Sequence, residues 1–328
     1  MYKNILVTGG AGFIGRETVE KLVRRGYNVV AFDLAEQFAR HTDFFTELRD
    51  CGNLRLASGS ILDRTALRSA IQGAEIVVHL AAMLGVRKTE DNRLGCLDIN
   101  INGTDNVLNA CVMDGVRKII FASSSEVYGE PSRNPIREID ETKGKTVYAV
   151  SKLAGEELVK GYHQLYRSLD YTIVRLFNTY GEGQVAQFVL ARFVKNVLEG
   201  KNPVVYGNGT QTRSYGHVDD VTEGFLMIMG NSVSNGKTYN LGNSSQVMTL
   251  KGLAQKVIDV LAPGKGLQVE VLGTFDGSDR IPEREIHTRY CDTSLAAADL
   301  GYAPTITVEE GIRRIAEQGH VHADWPTV

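Results

Sequence analysis

This sequence predicts a doubly wound α/β fold: a parallel sheet with helices on both faces, followed by a smaller C-terminal lobe. Three observations carry that expectation. Short apolar runs alternate with helical patterns through the first half of the chain. Those runs are β-branched and show no in/out alternation, as expected of strands buried on both faces. A glycine-rich turn joins the first run to the first helix, and repeated β-α units wind a sheet in both directions from such a start.

Taken in order, "NILVT" reads as a strand and Gly12 to Arg25 as a helix. "NVVAF" and "LRLAS" are strands, Arg64 to Ile71 a helix, and "EIVVHLAA" a strand. Ile101 to Met113 reads as a helix, "KIIFASS" as a strand, Tyr148 to Tyr166 as a long helix and "YTIVRLF" as a further strand. After Tyr180 glycine and asparagine become frequent, in "YGEGQ", "YGNGTQTR" and "GNSSQ", and the elements shorten. The expected division is a first domain over 1–180 and a lobe over 181–328 whose segments cross back to the first. The end, "VHADWPTV", is expected to be loosely held.

The bulk composition excludes several function classes. The 328 residues hold 36 Lys+Arg against 39 Asp+Glu, a net charge of -3, with no basic block for nucleic acid or an anionic membrane. No apolar stretch approaches a bilayer span. "MYKNILVTGG" turns glycine-rich too early for a signal peptide, so a cytoplasmic location is expected. Cys51, Cys96, Cys111 and Cys291 are scattered without a CxxC and read as reduced thiols. His217, His320 and His322 lack ligand spacing, and no metal site is expected.

"TGGAGFIG" follows the first strand and opens the first helix, with Gly9, Gly12 and Gly15 spaced GxxGxxG. Glycine permits the tight turn and lets backbone approach a pyrophosphate, while the helix N-terminus offers free N–H groups. The next strand ends in Asp33, a carboxylate placed to accept from ribose hydroxyls and to repel a 2′-phosphate. NAD is therefore expected over NADP. Farther on, Tyr148 and Lys152 stand four apart on one helix face. An ammonium beside a phenol favours the phenolate, which predicts a lowered tyrosine pKa and a base for a hydroxyl proton. His79, within an apolar strand, reads as a packed histidine near the cofactor.

Together these motifs resemble the extended short-chain dehydrogenase/reductase family, the NAD-dependent nucleotide-sugar epimerases, dehydratases and decarboxylases built on the Rossmann fold. The resemblance runs in order through "TGGAGFIG", Asp33, "VVHLAA", "NINGTDNVL", "SSSEVYGE", Tyr148-x-x-x-Lys152, "RLFNTYG", "GNGTQTRSYGHVDDV" and "RYCDTSLAAADLGYAP". It implies an NAD site on Gly9, Gly12, Phe13, Ile14, Gly15 and Asp33, with Leu80, Ala81, Ala82, Asn100, Tyr148 and Lys152. It places Ser124 on the reacting hydroxyl and makes Ser125 a substrate contact. It puts Asn178, Arg213 and Arg289 where the family holds a nucleotide diphosphate, a role suited to forked guanidinium donors. Many relatives carry Gly-Asp after the third strand, with the aspartate on adenine. Here Gly59 is followed by Ser60, so Ser60 or the backbone of Ile61 is expected to replace that contact, with Asp63 nearby but not a direct ligand.

The family opens by oxidising the sugar, usually at C4, and the residues after the catalytic serine tune the fate of the keto sugar. A 4,6-dehydratase typically uses an Asp-Glu pair there, and Ser125 cannot serve as that acid. Ser124-Ser125-Glu126 and Arg289 are similar to UDP-glucuronate decarboxylases, but "YGEGQ" departs from their Gly-Pro-Arg and is nearer to 4-epimerases. Glu126 is thus either a proton handler at C5 or a hydrogen-bond partner behind the site. The expected function is a UDP-hexose or UDP-hexuronate 4-epimerase. UDP-glucuronate decarboxylase is the first alternative and a 4,6-dehydratase the next; outside enzymes the alternative is an NAD(H)-binding regulatory or scaffold protein. A homodimer is expected through the helices at 101–113 and 147–166, where Val107, Leu108, Leu153 and Leu158 could face either the partner or the sheet.

Overall fold

The computed structural model describes residues 2–185, 188–278 and 281–321, so His322 and the rest of the terminal "VHADWPTV" beyond Val321 lie outside the described residues. β1 (Asn4–Thr8) leads through the glycine turn into α1 (Phe13–Arg24) and β2 (Asn28–Asp33). Two short helices that the periodicity does not announce, α2 (Ala35–Ala39) and α3 (Thr42–Arg49), fill the crossover to β3 (Leu54–Ser58). α4 (Arg64–Ile71) begins where the Asp63 carboxylate accepts from the N–H groups of Thr65 and Ala66 as the helix cap. β4 spans only Ile76–His79, shorter than the apolar run "EIVVHLAA" suggests. Its chain leaves the sheet there, with α5 (Val86–Asp91) and α6 (Arg93–Leu97) on the far side of the gap.

A single π turn over Asp98–Asn102 then feeds α7 (Gly103–Met113), so the helix starts two residues later than its hydrophobic pattern. Such turns mark places where a side chain is re-aimed, often at functional sites. β5 (Lys118–Ser124) ends in a 3₁₀ turn over Ser125–Tyr128, and α8 (Val147–Leu165) and β6 (Asp170–Leu176) follow. Beyond them come β7 (Thr179–Tyr180), α9 (Val189–Leu198), β8 (Val204–Val205), β9 (Thr212–Ser214), β10 (Gly216–His217) and α10 (Val218–Gly230). The chain continues through β11 (Lys237–Leu241), β12 (Val247–Thr249), α11 (Leu250–Leu261), β13 (Glu270–Val271), β14 (Thr288–Arg289), α12 (Ser294–Leu300) and α13 (Val308–Val321).

Seven strands form the central sheet in the order β11-β6-β5-β4-β1-β2-β3, all parallel. β11 comes from beyond residue 180, so the chain does return to the first sheet. Alternate strand residues feed two cores. Val7, Val78 and Ile120 meet α1 and α10 on one face, while Leu6, Val77 and Ile119 meet α4, α7 and α8 on the other. That double burial is why the strands carry no polar alternation, and each fully buried aliphatic side chain contributes roughly 1.5–3 kcal/mol. Val107 and Leu108 belong to the second of these cores and face the sheet. A third core, with Phe193, Leu253 and Ile312, knits α9, α11 and α13 into the lobe.

The strand order turns about β1, whose neighbours are β4 and β2. In an open parallel sheet the crevice lies at the carboxyl ends near this switch. Gly9, Asp33, Leu80, Ser124 and Asn178 all follow or close those ends.

Candidate active site

At the dinucleotide end the backbone does most of the shaping. Gly9 has φ +71, and a Cβ there would stand 2.7 Å from the Ala81 nitrogen. A Cβ on Gly15 would stand 1.9 Å from the Gly9 carbonyl oxygen. Gly12 precedes Phe13 and Ile14 at the start of α1 with no side chain capping the helix, so the positive helix end faces the turn. The Asp33 carboxylate accepts from the N–H groups of Ala11 (2.9 Å) and Leu34 (2.8 Å), which aims it at the same turn. Burial raises its pKa from the ordinary value, against those hydrogen bonds. This cradle, closed to any side chain and edged by a carboxylate, fits the diphosphate and ribose of a dinucleotide.

The surrounding residues support the cradle. Ser60 Oγ accepts from the Leu62 N–H at 3.1 Å, closing its own turn, and Ile61 packs on Gly103. Leu80 donates its N–H to the Thr8 carbonyl at 3.1 Å and half-buried Ala81 and Ala82 follow it. Asn100 is buried, and its carboxamide is spent on Met83 (N–H at 2.7 Å, C=O at 3.0 Å) and Ser151 Oγ (2.9 Å). It therefore acts on the cleft by holding the segment after β4. His79 is buried between Thr8 Oγ1 (2.7 Å) and Thr104 Oγ1 (3.0 Å), and burial pulls its pKa down to about 3. The sequence pattern missed Arg16, which donates to the Ala11 carbonyl (3.1 Å), to His41 Nε2 (2.6 Å) and to the Gly183 carbonyl (3.2 Å). It fastens "YGEGQ" to the first helix, while Glu182 of that stretch meets buried His217 at 2.9 Å.

The catalytic candidates converge between β5 and α8. The Ser124 hydroxyl acts to lower the pKa of the Tyr148 phenol, and Lys152 Nζ donates to the Ala122 carbonyl at 2.8 Å. Lys152 Nζ lies 5.8 Å from the centre of the Tyr148 ring. The expectation of a lowered phenol pKa is not met in the free protein. Burial raises it, the Glu126 charge adds to the rise, and Lys152 is not among its main determinants. The lysine itself is pulled down to about 8 by burial. Both groups share a dry pocket in which charge is costly, which outweighs their attraction.

Glu126 faces the start of α8. Its carboxylate accepts from Thr146 Oγ1 at 3.1 Å, and Thr146 Oγ1 in turn accepts from the Ala149 N–H as the helix cap. Ser125 is buried beside it in the 3₁₀ turn. Behind the site, Ser123 Oγ donates to buried Glu156 (2.5 Å), which Arg175 grips at 2.9 and 2.7 Å. Arg175 also reaches Tyr128 OH at 3.0 Å, which donates to Asn240 at 2.7 Å. This pins the end of β5 to α8, β6 and β11 in one buried network.

The substrate candidates sit at the opposite wall. Arg213 and Arg289 are register partners on β9 and β14, and both are buried. Arg213 is heavily engaged: its guanidinium donates to the carbonyls of Thr212 (2.9 Å), Ile286 (2.6 Å) and His287 (3.1 Å) and to Glu285 (2.9 Å). The charge of Arg289 is felt at Tyr148. Half-buried Asn178 accepts from the Gly216 N–H at 3.0 Å through its carbonyl.

Residues 5–242 match the NAD dependent epimerase/dehydratase family. The chain belongs to that family. Its member from Bacillus cytotoxicus, UDP-N-acetyl-alpha-D-glucosaminuronate decarboxylase, is 36% identical over 95% of this chain and 96% of its own length. The putative UDP-glucose 4-epimerase of Methanocaldococcus jannaschii is 31% identical, covering 95% and 96%. Among solved structures, the UDP-glucuronic acid 4-epimerase of Bacillus cereus, in complex with UDP-glucuronic acid and NAD, superimposes with a TM-score of 0.85. It is 28% identical, covering 97% of this chain and 100% of that one. As an epimerase/dehydratase family member the chain is an enzyme with NAD as cofactor, and the glycine cradle with Asp33 is the feature that suits it. Among the described residues no helix is long and apolar enough to cross a membrane.

Some residues had a usable signal and others had none. Thr146, a threonine just before the apolar face of α8, is a legible helix cap. Glu285 and Glu156 are ordinary surface-type residues in sequence, and only their buried arginine partners reveal them.

Proposed function

We propose that this enzyme is a 4-epimerase of a UDP-sugar, either a UDP-hexose or a UDP-hexuronate, working by transient oxidation at C4. The observation that carries the reading is the placement of Glu126. Its carboxylate is engaged by Thr146, the cap of the helix that bears Tyr148, which suits a positioning role rather than proton traffic at C5. Bound NAD supplies a hydride acceptor that returns the hydride. Tyr148 takes the proton of the C4 hydroxyl, and Ser124, whose hydroxyl favours the ionised phenol, holds that oxygen. Lys152, fixed to Ala122, carries its positive charge below about pH 8, and that charge favours the ionised phenol. Asn178, Arg213 and Arg289 hold the diphosphate end, Arg213 also organising the segment it binds. Residues 1–180 then carry cofactor and chemistry, and the lobe mainly the nucleotide sugar.

A decarboxylase is the second reading, favoured by the relative that is 36% identical. Incubation with UDP-glucose, UDP-N-acetylglucosamine, UDP-glucuronate and UDP-N-acetylglucosaminuronate, followed by NMR, separates the two. Epimerisation at C4 without loss of CO₂ is expected; CO₂ release with a pentose product replaces it by the second reading.

A cytoplasmic homodimer completes the proposal. Ile101, Ala154, Leu158, Gly161 and Leu165 line a groove of about 610 Å³ on α8 and the turn before α7, with Leu165 72% exposed. Two such helices from each copy would bury this face. Light scattering at micromolar concentration is expected to give twice the 36.0 kDa chain mass, and a monomer would refute the pairing.

A further inference from the structure

The wall beside the catalytic tyrosine carries a charge imbalance that the mechanism above does not use. Glu90, on α5, has a side chain only 4% exposed. One of its oxygens lies 2.9 Å from Arg93 Nη2. The other accepts from the Arg284 guanidinium and from the Val147 N–H at 3.2 Å. Two guanidiniums thus share one carboxylate, and among the described residues neither pairs with another. Arg93 is largely exposed, whereas the Arg284 side chain is 27% exposed, so solvent screens its charge less.

The position of Arg284 follows from its neighbours. Val147, bound to the same Glu90 oxygen, precedes Tyr148. Glu285, next in sequence to Arg284, pairs with Arg213 at the nucleotide wall. The segment therefore runs between Arg213 and the start of the helix that bears the catalytic tyrosine. Arg284 donates to Glu90 through Nη1, and Nε and Nη2 have no partner among the described residues. A half-buried guanidinium that shares its one carboxylate with a second guanidinium favours an incoming anion, and its fork matches a carboxylate. Glu126, held at the same helix start through Thr146, would repel an anion on its own side.

We propose that Arg284, held in place by Glu90, binds a carboxylate on the sugar, so that the substrate is a UDP-hexuronate rather than a neutral UDP-hexose. This rests on the UDP-sugar reading and narrows it. Calorimetric titration of the NAD-loaded enzyme with UDP, UDP-glucose and UDP-glucuronate tests both separately. The wild type is expected to bind UDP-glucuronate about tenfold to a hundredfold more tightly than UDP-glucose, the worth of one charge-assisted contact. Arg284→Gln brings the two affinities together and leaves UDP affinity unchanged, while Arg284→Lys, which keeps the charge, retains part of the preference. UDP binding with equal affinity for the two sugars in the wild type overturns the inference alone. So does a preference that survives Arg284→Gln. No binding of UDP or either sugar overturns the UDP-sugar reading and the inference with it.

Discussion

At the dinucleotide end, Gly9, Gly15 and Asp33 lie in one β-α-β stretch, and the shape comes from backbone that no side chain could replace. At the wall proposed for the substrate, Glu90, Val147, Arg213 and Arg284 come from four distant segments, and the shape comes from ion pairs and hydrogen bonds between them. The first construction binds a constant ligand and leaves little room for variation. The second can be retuned one side chain at a time, which suits a family whose relatives here include epimerases, decarboxylases and dehydratases. Tyr148 stands at the junction: its helix is local, but its phenol is governed first by burial and then by charges from other segments, Glu126 raising its pKa and Arg289 lowering it.

The largest effect is expected at that junction. Tyr148→Phe removes the ionisable oxygen and keeps the ring, so turnover should fall by about 10² to 10⁴ while NAD affinity and thermal unfolding stay near wild type. Retained turnover on the true substrate would take the proton-transfer role away from the tyrosine. Arg213→Ala probes the assembled end. It breaks the buried pair between Arg213 and Glu285, whose side chains are 6% and 9% exposed, and a broken buried pair costs roughly 3–5 kcal/mol. The unfolding temperature should drop, UDP affinity should weaken, and adding Glu285→Gln should recover part of the stability. An unchanged unfolding curve would mean that the pair does not organise this wall.

Asp33→Asn probes the local end. The fold should persist, because the amide oxygen of the substituted side chain can still accept from the Ala11 N–H, but NAD affinity should fall about tenfold and discrimination against NADP should narrow. Equal wild-type affinity for the two cofactors would remove the assignment. The smallest effect is expected for Glu126→Gln. The amide keeps an acceptor for Thr146, so turnover should fall by less than about tenfold, with no NADH building up in the near ultraviolet. Accumulated NADH with UDP-glucuronate would instead place Glu126 in the C5 step.

The strands and helices of the first half were legible because each carries its own periodicity. β4 misled: the apolar run continues past His79, but the strand stops there and the backbone of Leu80 and Ala81 packs against Gly9. Asn100 reads as a cofactor contact from its place in a motif; that it lies in a π turn with its carboxamide on Met83 and Ser151 is not legible in the sequence. The Tyr148–Lys152 spacing was legible from helix geometry alone. The direction of the phenol pKa was not, because it depends on how dry the pocket is and on Glu126 and Arg289, neither of which spacing can weigh.

What the sequence by itself determined is whatever a few consecutive residues can enforce: a glycine turn that only glycine can make, strands buried on both faces, a tyrosine and lysine one helical turn apart. Tertiary structure decided which charges meet. Arg213 met Glu285, Arg284 met Glu90, and Glu126 met Thr146, the cap of α8. A charge acts through space, so its partner is set by the fold's path and by burial, which lowers the screening between the two; neither quantity is written in the residues adjacent to it.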